Sequence, residues 1–369
     1  MKIGVLTSSR ADFGIYIPLL NVLQQDNNIN LKIIAFGTHL SKSHGYTLTE
    51  IVGQGFTSID KIKLNFSDDS PKGISKTYAE TCLKFADYWS KIKFDLVFCL
   101  GDRFEMQAAV QVGIPLRVRF AHVHGGETTE GAIDNVYRHQ ITLASSVHFA
   151  STESYAQRIK EIVGFGKYVY NVGSLSLDEL DQLKLPTIQS VCKQFLFPEK
   201  DFILATFHPE TVSVDMNESY VNEMGKSLRK LLDKYQIVIT MPNADTMGSL
   251  YRSEILRIAA KYDNLYIVES FGKLNYFTAM KNALCILGNS SSGIIEAASF
   301  KKYVINVGDR QKGRMQSKNI LNSSFDAIEI VNQVESAVNF GDFNGKNIYY
   351  KKGVAKSILK LINKELANA

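Results

Sequence analysis

LCILGNSSSGIIEAASFKKYVINVGDRQKGR, residues 284–314, is the stretch on which the reading of this chain turns. A short apolar run, Leu284 to Leu287, ends in Gly288-Asn289, three serines and Gly293. An apolar helical pattern follows from Ile294 to Phe300, then a β-branched run from Tyr303 to Val307. Strand, Gly/Ser turn, helix, strand is the repeating unit of a parallel α/β sheet, and it turns backbone N–H groups toward an anion. Ser290, Ser291 and Ser292 add hydroxyl donors at that turn, and Arg310 and Arg314 bring fixed positive charge past the next strand. The segment reads as a cradle for a diphosphate. Serine and asparagine are also ordinary helix N-caps, so the serine run alone does not decide; the downstream arginines do.

The same alternation extends in both directions. Phe202 to Thr206, Ile237 to Met241 and Leu265 to Val268 read as further strands of the second half, with helical patterns between them. In the first half the strand-like runs are Ile3 to Leu6, Leu31 to Phe36, Leu96 to Leu100, Val118 to Val123 and Ser146 to Ala150. Helical spacing marks Ile17 to Leu23, Ile74 to Lys91, Glu105 to Val112 and Val136 to Ala144. The fold class is therefore α/β: two Rossmann-like, doubly wound domains facing a central cleft, with ligands expected at the carboxyl ends of strands. The join falls near Ser174 to Lys200, which holds Pro186 and Pro198 and lacks a strand signal. This predicts domains over residues 1–173 and 174–353, and an amphipathic helix over 354–369 that crosses back onto the first domain.

Composition fits this frame. At 369 residues, 45% hydrophobic and 21% charged, the chain is globular and long enough for two cores. A formal charge of +5, scattered rather than massed, excludes a nucleic-acid footprint but suits a small anionic substrate. Cys82, Cys99, Cys192 and Cys285 lie far apart with no metal spacing, which favours a reducing compartment. MKIGVLTSSRADFG is too poor in apolar residues for a signal peptide, and no run of 18 apolar residues crosses a membrane. A cytoplasmic location is expected.

Polar motifs follow the strands. After the first comes Ser8-Ser9-Arg10-Ala11-Asp12, where Arg10 either holds a phosphate or pairs with Asp12. It is no GxGxxG, so no nicotinamide cofactor is expected. Gly101-Asp102-Arg103 follows Leu96 to Leu100, and Asp102 alone could cap the next helix. The next strand ends in His122-Val123-His124-Gly125-Gly126-Glu127, with Asp134, Arg138 and His139 close behind. Carboxylates held together shift one another's pKa values, which supplies one acid and one base. No thiolate or HExxH helix accompanies the histidines, so no metal is expected. In the second half, His208-Pro209 and Pro242-Asn243-Ala244-Asp245 leave strands, as does Glu269-Ser270-Phe271. His208 reads as a donor to an anionic leaving group or a packing histidine. Glu296 reads as a ribose ligand or a solvated helix residue, and Phe271 as a flank for a flat base or a core ring.

Taken in order, these motifs resemble the hydrolysing UDP-N-acetylglucosamine 2-epimerases of bacterial sialic-acid pathways, from Ser9-Arg10-Ala11-Asp12 through Arg310-Gln311-Lys312-Gly313-Arg314. The resemblance implies a GT-B-like pair of domains, no cofactor, a homodimer or homotetramer, and UDP contacts from Arg10, His208, Asn243, Ser290, Ser291, Glu296 and Arg310. Arg103, His124 and Phe271 join them as substrate-binding candidates. Asp102, Glu127 and Asp134 form the proton-transfer set, and His208 assists departure of UDP. The chain differs from the related non-hydrolysing epimerases at His124, where those carry Glu. The implied chemistry is elimination of UDP to a 2-acetamidoglucal, then hydration to N-acetylmannosamine. An alternative with the same mechanism acts on UDP-2,4-diacetamido-2,4,6-trideoxyglucose, with Thr128 to Ala132 facing the distinguishing groups. A GT-B glycosyltransferase, needing an acceptor, is a remoter alternative.

Overall fold

The computed structural model of the chain describes residues 1–41, 46–65, 70–178, 180–242 and 247–367. It divides into two units: Met1–Glu127 with Asp134–Leu180 and Tyr349–Ala369, and Thr128–Ile133 with Asp181–Ile348. The first boundary falls after Leu180 rather than at residue 173, because Leu175 and Leu177 are wholly buried in the first unit. The second falls at Tyr349, and the six residues between Glu127 and Asp134 belong to the second unit.

The first unit is a parallel sheet of seven strands: β1 (Lys2–Thr7), β2 (Asn30–Ala35), β3 (Ile59–Lys61), β4 (Leu96–Leu100), β5 (Phe120–Val123), β6 (Val147–Ala150) and β7 (Val169–Asn171). Their order is β3-β2-β1-β4-β5-β6-β7, so the winding reverses between β1 and β4. Alternate residues of one strand feed different cores. Leu96 and Phe98 of β4 join Val5 and the helix Arg10–Gln25, while Val97 and Cys99 join Phe85 and Trp89 of the helix Pro71–Lys91. Both faces being covered is why these strands read as continuous apolar runs. The helix Val354–Ala367 sends Val354, Ala355, Ile358 and Ile362 into the first of these cores. Its opening N–H groups, on Val354 and Ala355, donate to the Asp178 carboxylate at 2.9 and 2.7 Å.

The second unit holds six parallel strands: β8 (Phe202–Thr206), β9 (Gln236–Thr240), β10 (Leu265–Val268), β11 (Ile286–Gly288), β12 (Val304–Val307) and β13 (Ile320–Ser323). Their order is β10-β9-β8-β11-β12-β13, with the reversal between β8 and β11. A doubly wound sheet opens a crevice for ligand where its winding reverses. Each unit thus points to a pair of strand ends: β1 and β4 in the first, β8 and β11 in the second.

The helix after β11 is shorter than its apolar pattern. It runs only Ser291–Ile295, then gives way to a 3-10 turn, Ala297–Phe300. There Asn347 Nδ2, from far along the chain, donates to the Ile295 carbonyl at 2.7 Å, and Lys301 closes the turn at φ 61°. All four cysteines are free thiols; burial pushes Cys99 and Cys285 up to about 12. Among the described residues no helix is long and apolar enough to cross a membrane.

Candidate active site

In the first unit a buried arginine organises the strand ends. Arg138, on the helix Asp134–Ala144, is 1% exposed. A guanidinium so placed must have acceptors. It pairs with the carboxylate of Asp102, the second residue after β4, and donates to the main-chain carbonyl of Glu127 at 3.1 Å. One side chain therefore holds two of the sequence-chosen carboxylate residues. Asp102 does not cap the next helix, which starts at Phe104 with Arg103 as its uncapped N-cap. Asp134 opens the helix one turn before Arg138 and is half-buried.

His122, quoted in the sequence motif but given no role there, braces the same loop. Its Nε2 lies 2.8 Å from the carbonyl oxygen of Gly101. A carbonyl only accepts, so Nε2 carries the proton, and Nδ1 lies 3.1 Å from the Thr142 hydroxyl oxygen. A Cβ at Gly125 would stand 2.7 Å from that Nδ1, which is why a glycine follows His124. Burial drives His122 down to about 3; His139 and His148 fall to about 4, His139 also through Arg158 and Arg138 nearby.

These three imidazoles make stability depend on acid. In the unfolded chain each protonates near pH ~6.5, but in the folded chain it stays neutral well below that. Their contribution is fully present above pH ~6.5 and is lost as pH falls toward about 4, at up to ~1.4 kcal/mol per pH unit per group. Denaturant titrations at stepped pH should show this slope, and His148→Gln should make it shallower. A flat profile down to pH ~5 would contradict it.

Glu127 is 2% exposed and accepts the Ser151 hydroxyl at 2.8 Å. His124 Nδ1 lies 3.8 Å from the same carboxylate. Arg103 donates Nε to Glu105 at 2.6 Å, and Glu105 is wholly buried. Arg10 does not pair with Asp12. Asp12 is taken up by Thr7 Oγ1 at 2.7 Å and the Ser8 and Ser9 N–H groups at 2.8 and 3.0 Å, while Arg10 reaches Glu50 at 3.5 Å on the exposed surface. Arg10 joins none of the contacts around Arg138 described above.

In the second unit the hub is Asn289, which the sequence reading quoted without a role. Its Oδ1 accepts the His208 N–H at 2.7 Å and its Nδ2 donates to the His208 carbonyl at 2.8 Å. Its own carbonyl accepts from Arg310 Nη1 at 3.4 Å and Gln311 Nε2 at 2.9 Å. His208, Arg310 and the serine turn are thereby brought together at the reversal between β8 and β11. Gly288 permits it: at φ 128° its missing Cβ would overlap the Thr206 carbonyl. Ser290 Oγ and Ser292 Oγ lie 3.0 Å apart, and Ser292 Oγ is 2.7 Å from the Tyr276 hydroxyl.

Two elements fix the loop that carries Arg310. Glu210, 1% exposed and with its pKa raised by burial, accepts the Asp309 N–H at 2.6 Å. On the other side the Glu130 N–H donates to Lys312 at 2.9 Å, and Gly131 lies so close to the Asp309 backbone that a side chain would collide. Glu296 ends the short helix, half-buried. Phe271 is 4% exposed, its ring packed on Phe195 at 4.6 Å and near Phe197 and Tyr276. That packing makes it a core ring rather than a face for a base. Asn243 lies outside the described residues.

Two doubly wound units, one with Asp102 and the Glu127 main chain joined through Arg138 and one with a serine–arginine turn at its reversal, carry polar groups at the strand ends where such sheets take ligands. The family model of the UDP-N-acetylglucosamine 2-epimerases matches residues 21–363. The chain is 32% identical over 349 residues to the UDP-N,N'-diacetylbacillosamine 2-epimerase (hydrolyzing) of Legionella pneumophila, covering 94% of this chain and 92% of that protein. It is also 32% identical over 332 residues to the GDP/UDP-N,N'-diacetylbacillosamine 2-epimerase (hydrolyzing) of Campylobacter jejuni, covering 89% and 85%. The crystal structure of UDP-GlcNAc 2-epimerase from Neisseria meningitidis bound to UDP-GlcNAc superposes with a TM-score of 0.82 at 18% identity, covering 99% of this chain and 100% of that one. The chain belongs to the UDP-N-acetylglucosamine 2-epimerase family, in its hydrolysing branch. It is a UDP-sugar 2-epimerase.

Proposed function

We propose that the substrate is UDP-N,N'-diacetylbacillosamine, UDP-2,4-diacetamido-2,4,6-trideoxyglucose, converted with water to the free 2,4-diacetamido-2,4,6-trideoxymannose and UDP. The observation that carries this is the 32% identity to the Legionella enzyme named for that reaction, over 94% of the chain. It reverses the order in which the sequence motifs ranked the two sugars, where UDP-N-acetylglucosamine stood first.

A carboxylate takes the proton from carbon 2 of the sugar, and the C1–O bond breaks with its electron pair going to UDP. The product is a glycal with a C1–C2 double bond. Water then adds its hydroxyl to carbon 1, and a proton reaches carbon 2 on the opposite face. Asp102, Glu127 and Asp134 are the proton-transfer candidates, and the Arg138 contacts with Asp102 and Glu127 support that reading of the first two. Carbon 2 is a weak acid, so the departing diphosphate must be stabilised; removing one preorganised donor in comparable sites costs roughly 3–4 kcal/mol. Arg310, Ser290, Ser291 and His208 are assigned to it, with Glu296 on the ribose. Asn289 supports this by joining His208 and Arg310 through its own side chain and carbonyl.

The test is turnover in deuterated water, followed by proton NMR, with each UDP-sugar offered separately and no acceptor added. The expected result is free diacetamido sugar deuterated at carbon 2, with UDP released in step. A preference of at least ~10-fold in kcat/KM over UDP-N-acetylglucosamine is expected, the scale set by one or two differing substituents. Preference for UDP-N-acetylglucosamine would overturn the substrate. A product still linked to UDP would overturn the hydrolytic outcome.

A further inference from the structure

Residue 124, the first after β5, holds a conformation that costs energy. His124 sits at φ 64°, in the left-handed region that non-glycine residues rarely adopt. Its own N–H donates to the Phe149 carbonyl at 3.0 Å, which anchors the backbone in place. The imidazole is buried, 6% exposed, and one of its nitrogens meets a backbone donor. The Leu175 N–H points at Nε2 from 3.2 Å, with Ser174 Oγ 3.4 Å away. A backbone N–H can only donate, so Nε2 must present its lone pair. The neutral ring then carries its proton on Nδ1, the nitrogen 3.8 Å from Glu127 Oε1.

The donor is itself held firmly. Leu175 opens the 3-10 turn Leu175–Leu177, and the preceding Ser174 N–H donates to the Tyr349 carbonyl at 2.8 Å. Asp178, directly after the turn, accepts the first N–H groups of the last helix. The chain's return into the first unit therefore fixes the turn, and the turn fixes the tautomer. An imidazole with Nε2 engaged in this way takes up no proton there during a reaction cycle.

We propose that His124 is a positioning residue for Glu127: a neutral imidazole locked as the Nδ1–H tautomer by the Leu175 N–H, which orients the Glu127 carboxylate and neither relays protons nor binds sugar. The proposal rests on the reading of Glu127 as a proton-transfer group. The 3.8 Å separation is longer than a hydrogen bond. Such contacts commonly tighten only when substrate is bound.

Two measurements decide it. Long-range proton–nitrogen NMR of protein labelled with nitrogen-15 histidine, at neutral pH, should show one neutral ring protonated on Nδ1 that disappears in His124→Asn. A ring protonated on Nε2, or an imidazolium, overturns the proposal, and this arm needs no substrate. In kinetics, His124→Asn tolerates the left-handed backbone and keeps an N–H near the Nδ1 position, so it should retain most activity. His124→Ala should lower kcat by about 100-fold with KM little changed, and should cost nothing further once Glu127→Gln is present. Losses that multiply in the double variant, or a rise in KM alone, overturn it. If wild-type protein turns over neither sugar, the functional reading fails while the tautomer measurement still judges His124.

Discussion

Asp102→Asn is expected to lower kcat by roughly 100- to 10,000-fold while UDP still binds. The size follows from what Asp102 is joined to. Its carboxylate faces Arg138, and the same guanidinium holds the Glu127 carbonyl at 3.1 Å. His122 grips the Gly101 carbonyl one residue earlier, at 2.8 Å. Asparagine keeps the shape of this contact but removes its charge, and removing one member of a buried pair costs ~3–5 kcal/mol. Asp102 is 26% exposed, so solvent screens part of that and the loss of stability belongs at the low end. Turnover and melting temperature together separate the two effects. If turnover falls only in proportion to the folded fraction, Asp102 is a partner for Arg138 and no part of the proton transfer.

That network shows which parts of the site a sequence carries. Asp102 stood out as a candidate because it follows the apolar run Leu96–Leu100 at its carboxyl end. The central strands were legible for a related reason. Leu96–Leu100, Phe202–Thr206 and Val304–Val307 are bounded where their apolar runs are bounded, since helices on both faces demand it. The strands Ile59–Lys61, Val169–Asn171 and Ile320–Ser323 were not, because each is a short edge strand with polar residues. Arg138 and Asn289 escaped assignment for a deeper reason. Each acts by contacts 36 and 81 residues away in sequence, Arg138 to Asp102 and Asn289 to His208, and no spacing rule encodes such pairs. Phe271, which the sequence left as either a flank for a flat base or a core ring, packs in an aromatic cluster. The sugar was ranked by motifs that the two substrates share, so only similarity over the whole chain could reorder it.

Glu127→Gln and Asp134→Asn, made separately, are expected to abolish most turnover in chemically different ways. Removing the base that takes the carbon 2 proton stops the reaction before the C1–O bond breaks. Such a variant should release no UDP and leave substrate unlabelled in deuterated water. Removing the group that completes hydration leaves elimination intact, so UDP and the glycal should accumulate together. The products thus assign roles where a rate alone would not, with losses of roughly 100- to 10,000-fold expected for either. Glu127 is the more enclosed of the two, 2% exposed with Ser151 donating at 2.8 Å, whereas Asp134 is half-buried at the start of its helix. A shielded carboxylate has little access to the water that hydration consumes. The expected division is therefore Glu127 as base and Asp134 on the hydration step. Glycal accumulating in Glu127→Gln would exchange those roles, and near-normal turnover in either variant would remove that residue from the mechanism.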